Sequence, residues 1–142
     1  MPKFMFLVMS VVVAAIGLAA PAAAIDDVTV TLEVDVLETV PFTVPTRCDL
    51  EVPSGSDGID VLDEAVDEYC IVSYDTVDFG GELGKFVTCI NELCGQSICV
   101  DGCTAGSFWA LFLDGVAAGV GVSNMSFTDD AVLGFDYDTW GV

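Results

Sequence analysis

The six cysteines constrain the folding of this chain more than any other feature of its sequence. An even number of cysteines is typical of a disulfide framework in a protein that folds in an oxidising compartment, so the sequence predicts three disulfides. The spacing does not fix their connectivity. We expect Cys48 to pair with Cys70 and the other four to pair among themselves. The six residues are Cys48, Cys70, Cys89, Cys94, Cys99 and Cys103.

A metal site is the alternative interpretation, because four of the cysteines lie between residues 89 and 103. Structural zinc sites usually contain Cys-x2-Cys pairs and often include histidine. The chain has no such pair and no histidine. Disulfides are therefore favoured, and no metal ligand is predicted.

The N-terminus has the pattern of a secretory signal peptide. Lys3 provides a positive charge, an apolar stretch covers residues 4–20, and small residues precede and include Ala24. The alternative is a membrane anchor, but the apolar stretch is short for a span of about 20 residues and no Lys or Arg closes it. We predict a signal peptide at residues 1–24 and a single domain at residues 25–142. The protein is then secreted or held at the cell surface, with no transmembrane segment after leader cleavage.

The charge of the chain is strongly acidic. It carries 23 Asp and Glu against three Lys and Arg, a net charge of −20. Binding to a phosphate backbone needs clustered bases, so the composition argues against a nucleic-acid partner. A self-repelling acidic surface is best tolerated at high ionic strength, which favours a salt-adapted organism such as a halophilic archaeon. Binding of cations or of a cationic partner is the alternative.

Alternation of apolar and polar residues predicts most of the strands. Residues 28–36 alternate strictly, and a second extended stretch with Phe42, Val44, Leu50 and Val52 is expected to return antiparallel to them. Asp114-Gly115 predicts a two-residue hairpin. Further strands are predicted at residues 71–74, 85–90, 107–113 and 131–137, with a disulfide-linked loop at residues 91–106.

One amphipathic helix is predicted at residues 59–69. Ile59, Leu62, Val66 and Tyr69 share one face, and acidic residues occupy the other. The order of two strands, a helix and a run of strands predicts an α+β fold. In this fold one helix packs on a mixed or antiparallel sheet, and disulfides hold the elements together.

The sequence lacks the usual patterns of a catalytic site. Histidine, the commonest general base, does not occur, and there is no Gly-x-Ser-x-Gly motif. We therefore predict that the protein is not an enzyme. Calcium binding by loop aspartates is an alternative, but no Asp-x-Asp-x-Asp-Gly loop is present and a solvated acidic surface is favoured. The loop aspartates are Asp57, Asp60, Asp75, Asp78, Asp129 and Asp130.

Several segments occur in the order found in a known family. They are residues 84–91 (Gly-Lys-Phe-Val-Thr-Cys-Ile-Asn), 108–115 (Phe-Trp-Ala-Leu-Phe-Leu-Asp-Gly), 120–122 (Val-Gly-Val) and 135–137 (Phe-Asp-Tyr). Together with the helix entry at residues 55–62, they resemble the transcobalamin C-terminal-like domain of unknown function. The resemblance implies a β-grasp-like domain related to the one that closes over one side of the corrin ring in vitamin B12 carriers. The helical barrel that holds the other side in those carriers has no counterpart in this sequence.

The aromatic strand and its hairpin are the candidate recognition surface. On an alternating strand Trp109 shares one face with Leu111 and Leu113, while Phe108 and Phe112 share the other. The predicted ligand-binding residues are Phe108, Trp109, Phe112, Asp114 and Gly115.

We predict a secreted, non-catalytic binding module that contributes to binding of a corrinoid or another small molecule together with a separate partner. No resident cofactor is predicted, and a corrinoid such as cobalamin is a ligand in this hypothesis. The alternative is a structural or adhesive cell-surface domain that recognises another protein by strand addition. A carrier needs a concave apolar pocket beside the Asp114-Gly115 hairpin, whereas an adhesive domain needs a flat face or an open strand.

Overall fold

The structure is a computed structural model that describes residues 26–36, 46–99 and 101–141. The predicted signal peptide at residues 1–24 lies outside the described residues. So does the part of the second extended stretch that contains Phe42 and Val44. None of the helices in the described part of the chain has the length and apolar character needed to cross a bilayer.

The first two strands form an antiparallel pair. β1 covers Asp27–Val36, and β2 covers Thr46–Pro53. Val30 lies opposite Leu50, and both side chains are buried. Because side chains alternate between the two faces of a strand, the apolar residues of β1 point to the core and the polar ones point away from it. The alternation at residues 28–36 and the antiparallel return are confirmed.

These strands belong to a mixed sheet with the order β2-β1-β9-β7-β6. β9 runs parallel to β1 and antiparallel to β7, so the first and last long strands of the described chain lie side by side. A two-residue strand, β8, extends the sheet beside β7. The remaining strands of this sheet are β6 (Gln96–Cys99), β7 (Cys103–Leu113), β8 (Val116–Ala117) and β9 (Ala131–Trp140).

The helix α1 covers Gly58–Asp67 and packs against β1 and β2. Its N-terminus is a capping box: the Asp60 backbone N–H donates to the Asp57 carboxylate, and the Asp57 N–H donates to the Asp60 carboxylate, each at 2.9 Å. The fold is therefore α+β, with one helix on a mixed sheet, as the sequence predicted.

The predicted end of the helix is wrong by two residues. Tyr69 has a positive φ of 59° and its side chain is 94% exposed, so it does not share the buried face. The next residue, Cys70, donates its backbone N–H to the Ala65 carbonyl at 2.8 Å and is bonded through sulfur to Cys48 in β2. The left-handed residue turns the chain out of the helix and toward that disulfide.

A second, small sheet has the order β3-β4-β5. Its strands are β3 (Tyr74–Asp78), β4 (Lys85–Ile90) and β5 (Leu93–Cys94). The strand predicted at residues 85–90 is confirmed, but the one predicted at residues 71–74 is wrong, since the strand begins at Tyr74. The loop predicted at residues 91–106 is also wrong, because this range contains β5, β6 and the first four residues of β7, which begins at Cys103.

All six cysteines form disulfides, as predicted. The pairs are Cys48–Cys70, Cys89–Cys94 and Cys99–Cys103. The first joins the segment after α1 to β2, and the other two close short turns between adjacent strands. A disulfide sulfur is not a thiolate, so the zinc interpretation of residues 89–103 lacks its ligands.

Candidate ligand-binding site

The hairpin between β7 and β8 is built around Asp114 and Gly115. Both have positive φ, 50° and 79°, which is the backbone of a type I′ turn and is accessible to Gly at no steric cost. The Asp114 N–H donates to the Val132 carbonyl, and the Val132 N–H donates to the Asp114 carboxylate, each at 2.8 Å. The predicted hairpin is confirmed, and Asp114 fixes it to β9.

A 3-10 turn at Val122–Asn124 lies near the hairpin and is anchored to the small sheet. The Lys85 N–H donates to the Ser123 hydroxyl at 2.8 Å. The Asn124 side-chain amide donates to the carbonyls of Gly81 and Glu82 at 3.0 and 2.9 Å. These bonds anchor the 3-10 turn to β4 and to the loop that precedes it.

Gly121 permits a close approach immediately before this turn. A Cβ atom at Gly121 would lie 2.2 Å from the Lys85 carbonyl oxygen, so any side chain would collide with the backbone of β4. The Gly121 N–H donates to the Leu83 carbonyl at 2.7 Å. The position therefore needs glycine for space.

An open depression of about 390 Å³ lies between the hairpin and the 3-10 turn. We call it the hairpin depression. Most of its wall is apolar, and Asn124 and Ser126 provide polar groups. A carrier is expected to have an apolar pocket beside this hairpin, and the depression is mostly apolar and open. Its lining residues are Leu113, Val116, Ala117, Ala118, Gly119, Val120, Asn124, Met125 and Ser126.

One sequence feature, an interval almost free of charged residues, indicates this depression. The prediction of aromatic ligand contacts did not use it. Asp114 is the sole charged residue between Asp101 and Asp129, in a chain with 23 acids. A long interval without charge in such a chain is unexpected for a fully solvated surface. The segment that follows the hairpin, at residues 116–126, supplies most of the depression wall.

The five predicted ligand-binding residues do not form one surface. Trp109 lies on the core face of β7 and is 7% exposed, whereas Phe108 lies on the opposite face and is 41% exposed. Phe112 shares the face of Phe108 and is half-buried. Asp114 and Gly115 form the turn beside the hairpin depression. None of the five predicted residues lines the depression, although Asp114 and Gly115 lie between its lining residues Leu113 and Val116, and Phe112 pairs with its lining residue Ala117.

Trp109 is held in a network with Tyr137. Their ring centroids lie 5.0 Å apart, and the Trp109 Nε1–H donates to the Leu93 carbonyl at 2.8 Å. The Tyr137 hydroxyl donates to the Cys94 carbonyl at 2.9 Å and shares a hydrogen bond with the Ser107 hydroxyl. Both aromatic side chains therefore join the large sheet to β5.

Several of the loop aspartates considered as calcium ligands accept hydrogen bonds from backbone amides. The Asp130 carboxylate accepts from the Thr29 N–H at 2.8 Å, and the Asp78 carboxylate accepts from the Gly80 N–H at 2.7 Å. Asp57 and Asp60 form the capping box of α1. Over residues 26–36, 46–99 and 101–141, no group of three or more acidic or cysteine side chains is arranged to hold a metal ion.

Carboxylates gather on the face of the large sheet that lies away from α1. Asp136 in β9 lies beside Asp35 of the parallel strand β1. Partial burial raises the pKa of Asp136, and the negative charges of Asp35, Asp138 and Glu33 raise it further. Arg47 forms an ion pair with Glu33 at this face.

The fold and the hairpin depression define a small, disulfide-linked α+β module with an open apolar surface. It is similar to part of haptocorrin, whose crystal structure was determined in complex with Cbi: the TM-score is 0.60 and the identity 16%, over 80% of this chain and 25% of haptocorrin. This chain thus spans about a quarter of the length of that protein. The likeness shows a shared fold.

A weaker likeness exists to a Ruminococcus gnavus protein whose metal binding is a provisional assignment. The TM-score is 0.49 and the identity 14%, over 78% of this chain and 96% of that protein. No protein-family model matches the chain. No curated protein matches it in sequence either. The similarity to haptocorrin supports the predicted resemblance at the level of the fold alone.

Proposed function

We propose that this chain is a secreted, non-catalytic module that binds one side of a small molecule, with a corrinoid as the leading candidate, in the hairpin depression. The observation that carries the proposal is the depression itself, which is concave, mostly apolar and adjacent to the Asp114-Gly115 hairpin. Pockets that bind small molecules are typically apolar with a few placed polar groups. Ser126 is such a group.

A separate partner completes the site in this proposal. The depression has about 390 Å³ and is open, near the lower end of the volumes found for ligand pockets. Tight binding usually requires that most of the ligand surface is buried, which a single open wall does not achieve. In haptocorrin a similar fold makes up about a quarter of a protein that was crystallised with Cbi, so a fold of this kind occurs within a larger ligand-binding protein.

The absence of catalysis is also part of the proposal. The chain contains no histidine, and none of the described residues that form the wall of the hairpin depression has a titratable side chain. General acid–base chemistry needs such a group within hydrogen-bond reach of the substrate. Asn124, the strongest polar group in the wall, already donates both side-chain hydrogen bonds to the loop at Gly81 and Glu82.

Export from the cytoplasm is supported by the cysteines. Three disulfides in a domain of this size are typical of proteins that fold in an oxidising compartment. This agrees with the signal-peptide pattern at residues 1–24.

Titration of the oxidised protein with cobinamide and with cobalamin tests the proposal. Amide chemical shifts in two-dimensional NMR spectra are the readout, because they locate the contact as well as detecting it. We expect weak, saturable binding that shifts the amides of residues 113–126. No shift at the solubility limit of either ligand, or shifts confined to another region, would contradict the proposal.

A matched pair of variants separates contact from general charge effects. Val116 lines the depression and is 70% exposed, whereas Val72 is 79% exposed and lies outside it. Val116→Asp places a carboxylate against the ligand and should weaken binding at least about tenfold, since an apolar contact becomes an unpaired charge. Val72→Asp adds the same charge and should leave the affinity unchanged. Equal weakening by both variants would argue against binding in the depression.

A further inference from the structure

β3 is an open strand edge on the small sheet. Within the residues that the structure describes, it pairs along one side only, with β4. Asp75, Val77 and Asp78 are exposed. The unpaired backbone groups of an edge strand are a template for pairing with another chain. With five residues, β3 offers an edge of roughly 17 Å.

Exposed apolar side chains lie at the C-terminal end of this edge. Phe79 is 62% exposed and Leu83 is 51% exposed, and both lie in the connection between β3 and β4. Phe79 packs edge-on against Phe86 of β4, with ring centroids 5.6 Å apart. Val77, which pairs with Phe86 across the strands, is 44% exposed. Adjacent exposed apolar residues on so acidic a protein indicate a contact surface.

A groove lies at the opposite end, between α1 and the start of β3. It has a volume of about 500 Å³ and combines carboxylates with apolar side chains. The Tyr74 hydroxyl donates to the Asp63 carboxylate. Burial, this hydrogen bond and the neighbouring carboxylates raise the pKa of Tyr74, so the hydroxyl stays protonated as a donor. The lining residues are Asp63, Val66, Asp67, Val72, Ser73 and Tyr74.

We propose that the β3 edge binds an extended segment of another protein by strand addition, and that this segment carries both basic and apolar residues. Main-chain hydrogen bonds to β3 would supply affinity, and side-chain contacts would supply specificity. Asp75, Val77 and Phe79 are two residues apart along the chain and so share a face, where one basic and two apolar side chains of the segment would meet them. Asp78 lies on the other face and matches a second basic side chain. The groove accepts a long basic side chain, whose methylene stem lies along Val66 and Val72 while its charge meets Asp63 and Asp67.

The charge on β3 selects this partner over a second copy of the chain. If two β3 strands paired, aspartates would face aspartates, and like charges across strands are destabilising. The net charge of −20 opposes self-association further. The same charge repels an anionic membrane surface. A basic, extended segment is thus the occupant that the edge fits.

A short extended peptide of lysine and valine, with one lysine and two valines on the face that meets Asp75, Val77 and Phe79, is the probe for this site. Hydrogen–deuterium exchange at about 0.1 M salt, where charges more than about 10 Å apart are largely screened, locates the contact. We expect protection of the amides of Tyr74–Asp78 and no protection at the hairpin depression. The same peptide with glutamate in place of lysine should not bind, nor should the lysine–valine peptide with N-methylated backbone amides.

Charge-reversal variants provide the matched control. Asp75→Lys with Asp78→Lys should weaken binding of the lysine–valine peptide at least about tenfold, because attraction becomes repulsion. Asp101→Lys with Asp129→Lys makes the same change at exposed residues outside β3 and should have little effect.

Four results would overturn the proposal. They are equal weakening by the two double variants, unchanged binding of the N-methylated peptide, protection at β2 or β6 instead of β3, and concentration-dependent self-association through β3. The readout at β3 is separate from the corrinoid titration, so either proposal can fail alone.

Discussion

The indole Nε1–H of Trp109 donates a hydrogen bond to the carbonyl oxygen of Leu93 at 2.8 Å. Trp109 belongs to the large sheet and Leu93 to the small one, so this bond joins the two sheets. It lies beside the Cys89–Cys94 disulfide, whose second cysteine accepts the Tyr137 hydroxyl hydrogen bond. The contacts give Trp109 a structural role, while its role as a ligand contact stays a prediction.

Replacing Trp109 by Phe should destabilise the protein by about 2 kcal/mol, because the Leu93 carbonyl loses its donor and part of the core volume is removed. The control is Trp140→Phe, at a side chain that is 37% exposed near the end of β9. That variant should change stability by less than about 0.5 kcal/mol. Urea unfolding followed by far-ultraviolet circular dichroism measures both. Equal effects would contradict the structural role of Trp109.

The disulfides should contribute unequally to stability. Cys48 and Cys70 are separated by 22 positions in the sequence, and Cys99 and Cys103 by four. A cross-link stabilises mainly by reducing the entropy of the unfolded chain, so replacing the first pair by Ala should cost about 3 kcal/mol and the second about 2 kcal/mol. Chemical unfolding of both double variants under oxidising conditions tests the order. Reduction of all disulfides should remove the difference in stability between the two double variants. A larger loss of stability from replacing Cys99 and Cys103 would refute the ranking.

Substitution by alanine should affect stability differently at Gly119 and Gly121, two glycines beside the hairpin depression. Gly121→Ala places a Cβ atom 2.2 Å from the Lys85 carbonyl oxygen and should cost about 2–3 kcal/mol through backbone displacement. At Gly119 an added Cβ meets no atom within 4 Å, so Gly119→Ala should be neutral or slightly stabilising. Thermal unfolding distinguishes them. Gly121→Ala should also weaken ligand binding, because it shifts the wall formed by Val120, and a fully stable variant would show that β4 can move aside.

The sequence predicted those parts of the fold that depend on local pattern. β1 follows from strict alternation, because one face of the strand is buried. The start of α1 follows from an acidic N-cap and an amphipathic period. The hairpin follows from Asp114-Gly115, since few residue pairs accept two positive φ angles.

The parts that depend on distant contacts were predicted less well. The helix pattern extends to Tyr69, but the disulfide from Cys70 to Cys48 requires the chain to leave the helix first. The strands at residues 93–99 are short and mostly exposed, so no burial pattern identifies them. Their pairing is set by the Cys89–Cys94 and Cys99–Cys103 disulfides, whose connectivity the sequence does not give.

The sequence predicted the hairpin beside the depression but not the residues that line the depression. The hairpin that borders the depression was predicted, but the wall comes from residues 116–126, which lack aromatic or charged markers. Trp109 looked like a ligand contact because both faces of β7 are apolar. One face turned out to pack against the core and β5, which alternation alone does not reveal.

The raised pKa of Asp136 predicts a pH-dependent effect on stability. Partial burial and the charges of Asp35, Asp138 and Glu33 make the folded protein hold this proton more tightly than the unfolded chain does. Stability from this group is therefore fully present below the unfolded pKa, about 3.9, and is lost as the pH rises through the raised folded value. At neutral pH the charged carboxylate opposes folding. Asp136→Asn should then raise Tm at about pH 7 and make little difference at about pH 3, where the wild-type residue is protonated.

Asp101→Asn is the control for Asp136→Asn, since it removes one charge from an exposed turn outside the carboxylate group. It should raise Tm less than Asp136→Asn does at low salt, because it relieves only the diffuse repulsion of the acidic surface. Added salt should reduce the difference in Tm between the two variants, because screening weakens the repulsion between Asp136 and its neighbours. Thermal unfolding of the three proteins at two pH values and two salt concentrations measures these effects. Two results would show that the carboxylates of β1 and β9 are not coupled as their positions imply. One is that Asp136→Asn raises Tm no more than Asp101→Asn does at neutral pH, and the other is that Asp136→Asn raises Tm as much at acid pH as at neutral pH.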